Sequence, residues 1–485
     1  MLCAVVSLGM LLGTPTFGAP DAPVNLATAW YDVHQGFPNN ALVSVVGIQR
    51  PCFAFKPTLN ANCHTIGVIT NFMSATHRIT NYPPPFLWLV GAGEVVVNAV
   101  SKTHVGDGGR VVGLLACLAL LFLSAWLLRR RGERNAIWAL YLLSPPMATF
   151  LYAGANANGW EICCALLVTS TLLYCKDELL SPTVGLRALW PVLLAGLALA
   201  TARPSGEVWL LAIAAVFVIW SQAWRIRRSL AALAAAVAPG VAVAVAWNAT
   251  HPLVVAAGKP TYSLTIHNAL GRLAASAEDI GTRVVQLWGG LGWNDTMPSA
   301  IAVVALLLAL AYYLPTYAPT LAHRRLLIGI VAIWFVSAAA WQAVSWLTPP
   351  PHYWWQERYS LPLLGGLAML LFSDPGRRVR PRLLALAAWV TLLNAYMVAM
   401  NFWRYDYGIT NGFPTTWHHA DYGAFHAVLV YGVVLGLVAV AVGLFREDRK
   451  QGEDDGPREL SSNDTDPSAA STPHIGLLQT TSDLR

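Results

Sequence analysis

Residues 110–134 read RVVGLLACLALLFLSAWLLRRRGER, and the reading of this stretch decides the fold. Between Arg110 and Arg129 no side chain carries a charge. A hydrocarbon core about 30 Å thick is crossed by about 20 apolar helical residues, and about 17 suffice. Backbone polar groups in lipid must bond within their own segment, so such a run is a helix. Arg129, Arg130, Arg131 and Arg134 mark its end as cytoplasmic, because basic residues in short loops resist translocation.

The pattern recurs. With 56% hydrophobic residues, 12% charged residues and 20 tryptophans, the composition is wrong for a water-soluble domain and right for a polytopic membrane protein. Apolar runs at 1–18, 110–128, 135–152, 159–175, 188–202, 206–222, 229–249, 299–315, 326–346, 358–373, 383–402 and 423–445 predict an all-α transmembrane bundle of about twelve spans. The other basic clusters, at Arg225, Arg227 and Arg228, Arg324 and Arg325, Arg377 to Arg382, and Arg446 to Lys450, fall on the same side as RRRGER. Both termini are therefore expected in the cytoplasm. The transmembrane domain is expected over 1–445, with large outer loops at about 19–109 and 250–298. The polar segment 446–485 is expected as a disordered cytoplasmic tail.

One segment tests the topology. Phe86 to Val100, FLWLVGAGEVVVNAV, is apolar, but counting it as a span would put RRRGER outside. It is short, carries Glu94 and comes after three prolines, so it predicts an interfacial or re-entrant helix within the first outer loop. The N-terminal run lacks the basic flank of a signal peptide and is expected to stay as an anchor.

Chemistry, if present, belongs on the outer face. Ten of the twelve histidines fall in or beside the outer loops, and the same face gathers Asp21, Asp32, Glu161, Glu207, Asp295, Glu357, Arg358, Asp406 and Asp421. Cys52 and Cys63, in PCFAFKPTLNANC, are candidates for a disulfide on an oxidising side, with two free thiols as the alternative. The remaining cysteines suit small apolar packing, and no metal-ligand spacing occurs.

Within TFGAPDAPVN, residues 16–25, Asp21 stands just before Pro23, a residue suited to the first turn of a helix. It is either a carboxylate stabilised at a helix N-terminus or a catalytic group at the bilayer surface. Asp32 lies three turns further along, roughly 16 Å away by helical rise, so the two are not a close carboxylate pair. GANANGWE, residues 154–161, puts Asn156, Asn158 and Glu161 at an outer mouth, where a carboxylate must be solvated, paired or functional. In GLGWNDTMP (290–298) and WWQERYSLP (354–362), Arg358 offers a planar fork for a phosphate, unless Glu357 or Asp295 neutralises it.

PDAPVN after the first span, NYPPPF before RVVGLL, then NANGWE, ARPSG, GWNDTMP and QERYSLP, in that order, resemble the bacterial predicted-membrane-protein family called domain of unknown function 2142. That family is similar in plan to the C-type glycosyltransferases, which take a sugar from a polyprenyl-phosphate carrier and use an acidic residue in the first outer loop. The resemblance implies a glycosyltransferase of the bacterial plasma membrane, acting in cell-envelope glycan synthesis. Its partners would be a polyprenyl-phosphate sugar donor, a glycan or lipid acceptor and membrane lipids. Asp21 would be the general base, and Arg358, Tyr359, Asp295, Trp293, Glu161, Asn158 and Asp32 would contact substrate.

Where family members often carry a second acid and a histidine, this chain has Ala22 and Asn25, so the base rests on Asp21 alone. No cofactor is demanded by any motif; a divalent metal ion is the alternative to Arg358 as the cation on the leaving phosphate. The absence of a Walker loop or a GxGxxG favours a lipid-linked donor over a nucleotide sugar, and no nucleic-acid partner is expected. The competing classes are a transporter or lipid-linked glycan flippase, and a catalytically dead assembly partner.

Overall fold

The computed structural model describes residues 1–35, 51–61, 82–101, 104–181, 185–251, 280–293, 295–317, 324–336, 356–373, 383–408 and 424–454. Among these residues every regular element is helical, and the one β feature is an isolated antiparallel bridge between Leu291 and Thr296. In chain order the α-helices of two turns or more are α1 (Leu2–Leu12), α2 (Ala22–Gln35), α3 (Pro84–Asn98), α4 (Val105–Arg131), α5 (Arg134–Leu142), α6 (Pro146–Ala153), α7 (Ala157–Tyr174) and α8 (Leu186–Ala200). They continue with α9 (Gly206–Ser221), α10 (Arg227–Thr250), α11 (Ile280–Gly289), α12 (Ala300–Tyr317), α13 (324–336), α14 (Leu361–Leu371), α15 (Leu383–Asp406) and α16 (Ala424–Asp454).

Among the described residues, α4, α10, α15 and the Val428–Glu447 part of α16 are each long and apolar enough to cross a membrane. A fifth crossing results if α5 and α6, bent by 76° at their junction, count as one broken span. The run expected at 135–152 is thus two helices that meet at a bend. Pro145 and Pro146 supply no backbone N–H, and the residue before a proline avoids the helical region, so the helix stops and restarts there. The first run is also shorter than expected. α1 ends at Leu12, three residues before Pro15, and its 11 residues span about 16 Å by helical rise. In contrast, α4 extends beyond 110–128 at both ends, and α16 continues as helix to Asp454, past residue 445. Residues 455–485 lie outside the described residues.

α7 is the centre of the bundle. Its side chains are buried almost all round, and α4, α8, α9 and α14 pack against it. α15, equally buried, packs against α1, α12 and α16. α3 lies between α2 and α4 at glycine contacts so close that a Cβ on Gly91 would strike the Ala29 carbonyl, and one on Gly93 the Gly108 carbonyl. On its other side α3 exposes Trp88, Leu89 and Val96, as an interfacial helix does.

The loops separate into two ends. At one, Arg131 pairs with Asp177, Ser373 Oγ donates to Glu133 at 2.9 Å, and Lys176 lies 4.3 Å over the Trp220 ring. This is the end that carries the RRRGER cluster. At the other end stand Asp21, Asn158, Glu161, Arg203, Asp295, Arg358 and Arg404.

Candidate functional site

The connection from α1 to α2, Gly13 to Asp21, is held by side chains from across the chain. Asn401 Nδ2 donates to the Gly13 carbonyl at 3.1 Å and to Thr14 Oγ1 at 2.7 Å. Thr16 Oγ1 donates to Asp107 at 2.7 Å, and Trp293 Nε1 to the Phe17 carbonyl at 3.2 Å. The Tyr405 hydroxyl donates to the Gly18 carbonyl, and Asn156 Nδ2 to the Pro20 carbonyl at 2.7 Å. A proline-rich segment cannot satisfy itself, so its carbonyls recruit donors from α15, the turn before α7 and the turn after α11.

Asp21 ends this segment in the left-handed backbone region, at φ 62°, which aspartate tolerates better than most residues. Its carbonyl accepts the first intrahelical bond of α2, from the Asn25 N–H at 2.9 Å. Its side chain turns away from that helix: Oδ2 accepts from Arg358 Nη2 at 2.7 Å. A purely local cap is therefore not what this carboxylate does. Arg358 is only 2% exposed, whereas Asp21 is 41% exposed, so the carboxylate stands between a buried cation and the outside.

Around this pair the structure gathers a second arginine. Arg203, in the turn between α8 and α9, donates through Nη1 to Asn158 Oδ1 and to Glu161 Oε2 at 3.2 Å, and through Nη2 to the Tyr82 hydroxyl at 3.2 Å. Ser205 Oγ completes Glu161 at 2.7 Å. Tyr359 joins the halves, with the guanidinium of Arg358 5.2 Å and that of Arg203 5.1 Å from its ring centre. Burial pushes the Tyr82 phenol above its usual range, with the neighbouring Arg203 acting against the shift. Asn156 caps α7 by accepting from the Asn158 N–H at 2.9 Å while holding Pro20, which ties this cluster to the Asp21 segment.

Asp295 and Trp293 belong to a neighbouring arrangement. Asp295 Oδ2 pairs with Arg404 Nη2 at 2.7 Å, and Arg404 also donates to the carbonyls of Phe53, Lys56 and Leu59. Asp295 thus holds the residue that anchors segment 51–61, and it does not neutralise Arg358. Trp293 meets Phe55 edge-on at 5.4 Å. Glu357 does not neutralise Arg358 either: Arg283 stands 3.5 Å away, and Trp334 Nε1 and Ser360 Oγ donate to it at 2.9 and 3.1 Å. Asp32 is buried three turns along α2, away from the cluster. Cys63 lies outside the described residues, so the Cys52–Cys63 pairing does too.

Of the residues that the sequence singles out, Asp21, Arg358, Tyr359, Asn158 and Glu161 meet here, whereas Arg203, Tyr82 and Arg404 carry more of the geometry than the sequence suggests. A signal for them exists. On a face that the sequence predicts to be depleted of basic residues, a remaining arginine needs a reason to be there. Arg110, Arg203, Arg283, Arg358 and Arg404 stand at this end, each against a carboxylate: Asp107, Glu161, Glu357, Asp21 and Asp295 respectively. Among the described residues no group of three His, Cys, Asp or Glu side chains is arranged to hold a metal ion.

A family model described as "Predicted membrane protein (DUF2142)" matches residues 5–367, a span that includes every member of the Asp21 cluster. No curated protein and no solved structure matches the chain.

Proposed function

The chain belongs to the DUF2142 family of predicted membrane proteins, and from that premise we propose that it is a glycosyltransferase using a polyprenyl-phosphate-linked sugar at the extracytoplasmic face, in bacterial cell-envelope glycan synthesis. The observation that carries the reading is the Asp21–Arg358 pair: an accessible carboxylate 2.7 Å from a buried guanidinium, with a second, mostly buried arginine beyond Tyr359. In this reading the helices shorter than a full bilayer complete a bundle of about twelve crossings, both termini are cytoplasmic, and Cys52 bridges Cys63 in the outer loop.

The chemistry needs few groups. Asp21 accepts the proton of an acceptor hydroxyl as that oxygen bonds to the anomeric carbon. The bond from that carbon to the phosphate oxygen breaks, and the polyprenyl phosphate leaves with the electron pair. Arg358 stabilises the charge developing on the phosphate, which leaves without a general acid. Asn158 and Glu161 hold Arg203 in place beside Tyr359, and Trp293 positions the Asp21 segment through the Phe17 carbonyl.

The test is Asp21→Asn in the producing cell, with envelope glycans analysed by mass spectrometry. Loss of a glycan product while the protein reaches the membrane at wild-type level is the expected result. Unchanged glycans would sink the reading. One observation favours a transporter or flippase instead, the 76° break between α5 and α6, since broken helices line substrate paths in carriers. Uptake or lipid flipping by the purified protein in vesicles would establish that alternative.

A further inference from the structure

The outer-face arginines are not equally satisfied. Arg110 uses all three of its nitrogens: Nε on the Ala153 carbonyl, Nη2 on the Leu11 carbonyl and Nη1 on Asp107. Arg203 and Arg404 each leave only a buried Nε without an acceptor. Arg358 leaves two nitrogens, Nε and Nη1, buried and without an acceptor, and its remaining bonds go to Asp21 and to the hydroxyl of its neighbour Tyr359. Buried charged donors without acceptors are costly. The guanidinium is built for more acceptor oxygens than the protein gives it. A phosphate ester supplies them in the fork geometry arginine favours.

The counter-ion is the least committed of its kind. Asp107, exposed to a similar degree at 40%, is also engaged by Thr16 and His104, whereas Arg358 is the hydrogen-bonding partner of Asp21. The Asp21 backbone is fixed on both sides, through the Pro20 carbonyl and the Asn25 N–H, so its freedom lies in the side chain. Glu161 already balances Arg203, so the charge that balances Arg358 is that of Asp21. A second anion arriving at Arg358 meets a carboxylate on the same buried cation, and like charges at that separation repel.

We propose that Asp21 is the resident occupant of a phosphate-ester site on Arg358, and that the incoming phosphate displaces it, so that donor binding and release of the base are one event. This rests on the transferase reading for the identity of the donor. Without donor, the carboxylate is held by Arg358. With donor bound, the carboxylate is freed beside the anomeric carbon, facing outward where an acceptor hydroxyl arrives. The exchange explains why a base would be paired with the cation that its own substrate needs.

The experiment compares binding of inorganic phosphate and of geranyl phosphate to the detergent-purified full chain by isothermal titration calorimetry. Asp21→Asn removes the competitor and is expected to bind geranyl phosphate at least tenfold more tightly than wild type, with Arg358→Gln abolishing binding in either background. A parallel gain for inorganic phosphate identifies the phosphate group as what Arg358 holds, and a gain confined to the prenyl ester identifies the lipid carrier as its source. Equal or weaker binding of both probes by folded Asp21→Asn overturns the proposal. Should Asp21→Asn not purify as a folded protein, Asp21→Ser serves the same comparison. Lost glycan products with unchanged affinity would leave the transferase standing and sink the exchange; tighter binding with unchanged products would do the reverse.

Discussion

Arg203 Nη1 and Glu161 Oε2 stand 3.2 Å apart, with the carboxylate fully buried and the arginine 12% exposed. Removing one partner of such a pair strands the other's charge, which costs about 3–5 kcal/mol. Glu161→Ala should therefore lower stability by about that amount, read as an earlier thermal unfolding transition in detergent. Replacing both partners with methionine should recover much of the loss, since apolar substitutes need no counter-charge. A single-variant transition at the wild-type temperature would show that Asn158 and Tyr82 suffice to hold Arg203.

Arg404 makes a different kind of contact, gathering the carbonyls of Phe53, Lys56 and Leu59 and the Asp295 carboxylate on one fork. Lysine carries the same charge but cannot reach that many acceptors in one plane. Arg404→Lys should free segment 51–61, seen as new proteolytic cleavage within it while the rest of the chain is unaffected. Cleavage at the wild-type rate would show that Asp295 and packing alone anchor the segment.

How far the sequence shows this arrangement depends on the scale of the interaction. Each helix is legible where one stretch of sequence decides it, as in residues 111–128 or in the proline-led Pro84–Asn98. The break at Pro145–Pro146 is also in plain view, but hydropathy averaged over the run conceals it. Asp21 and Arg358 can each be chosen alone as an acid and a cation on the face that the sequence predicts to be outer. Their meeting cannot, because 337 residues separate them and only the fold brings them together. Arg404 is hidden for another reason: it ends a long apolar helix, where an arginine reads as a boundary.

The helix crossing beside the site is set by small residues. A methyl group on Gly93 would strike the Gly108 backbone carbonyl and crowd the Val112 side chain. Gly93→Ala should push α3 from α4 at a cost of about 1–3 kcal/mol, the range typical of overpacking. The same substitution at Gly436, which has open space around it, should leave the transition within about 0.5 kcal/mol of wild type. Equal effects at both positions, measured by thermal unfolding, would show that the α3–α4 crossing yields without strain.

Glu94 lies on α3, outside the spanning helices, fully buried, with neither carboxylate oxygen bonded. Burial pushes its carboxyl well above the usual carboxylate range, so the folded chain holds a proton that the unfolded chain releases. An acid with a raised folded value contributes stability at low pH and loses it as pH rises. Between the ordinary carboxylate range and the folded value, stability should fall by about 1.4 kcal/mol per pH unit from this group. Glu94→Gln keeps the shape and removes the titration, so its stability should be flatter with pH and higher than wild type near neutrality. Thermal unfolding of both proteins from acid to neutral pH checks this. Parallel curves would mean that the Glu94 carboxyl finds a donor or water when it ionises.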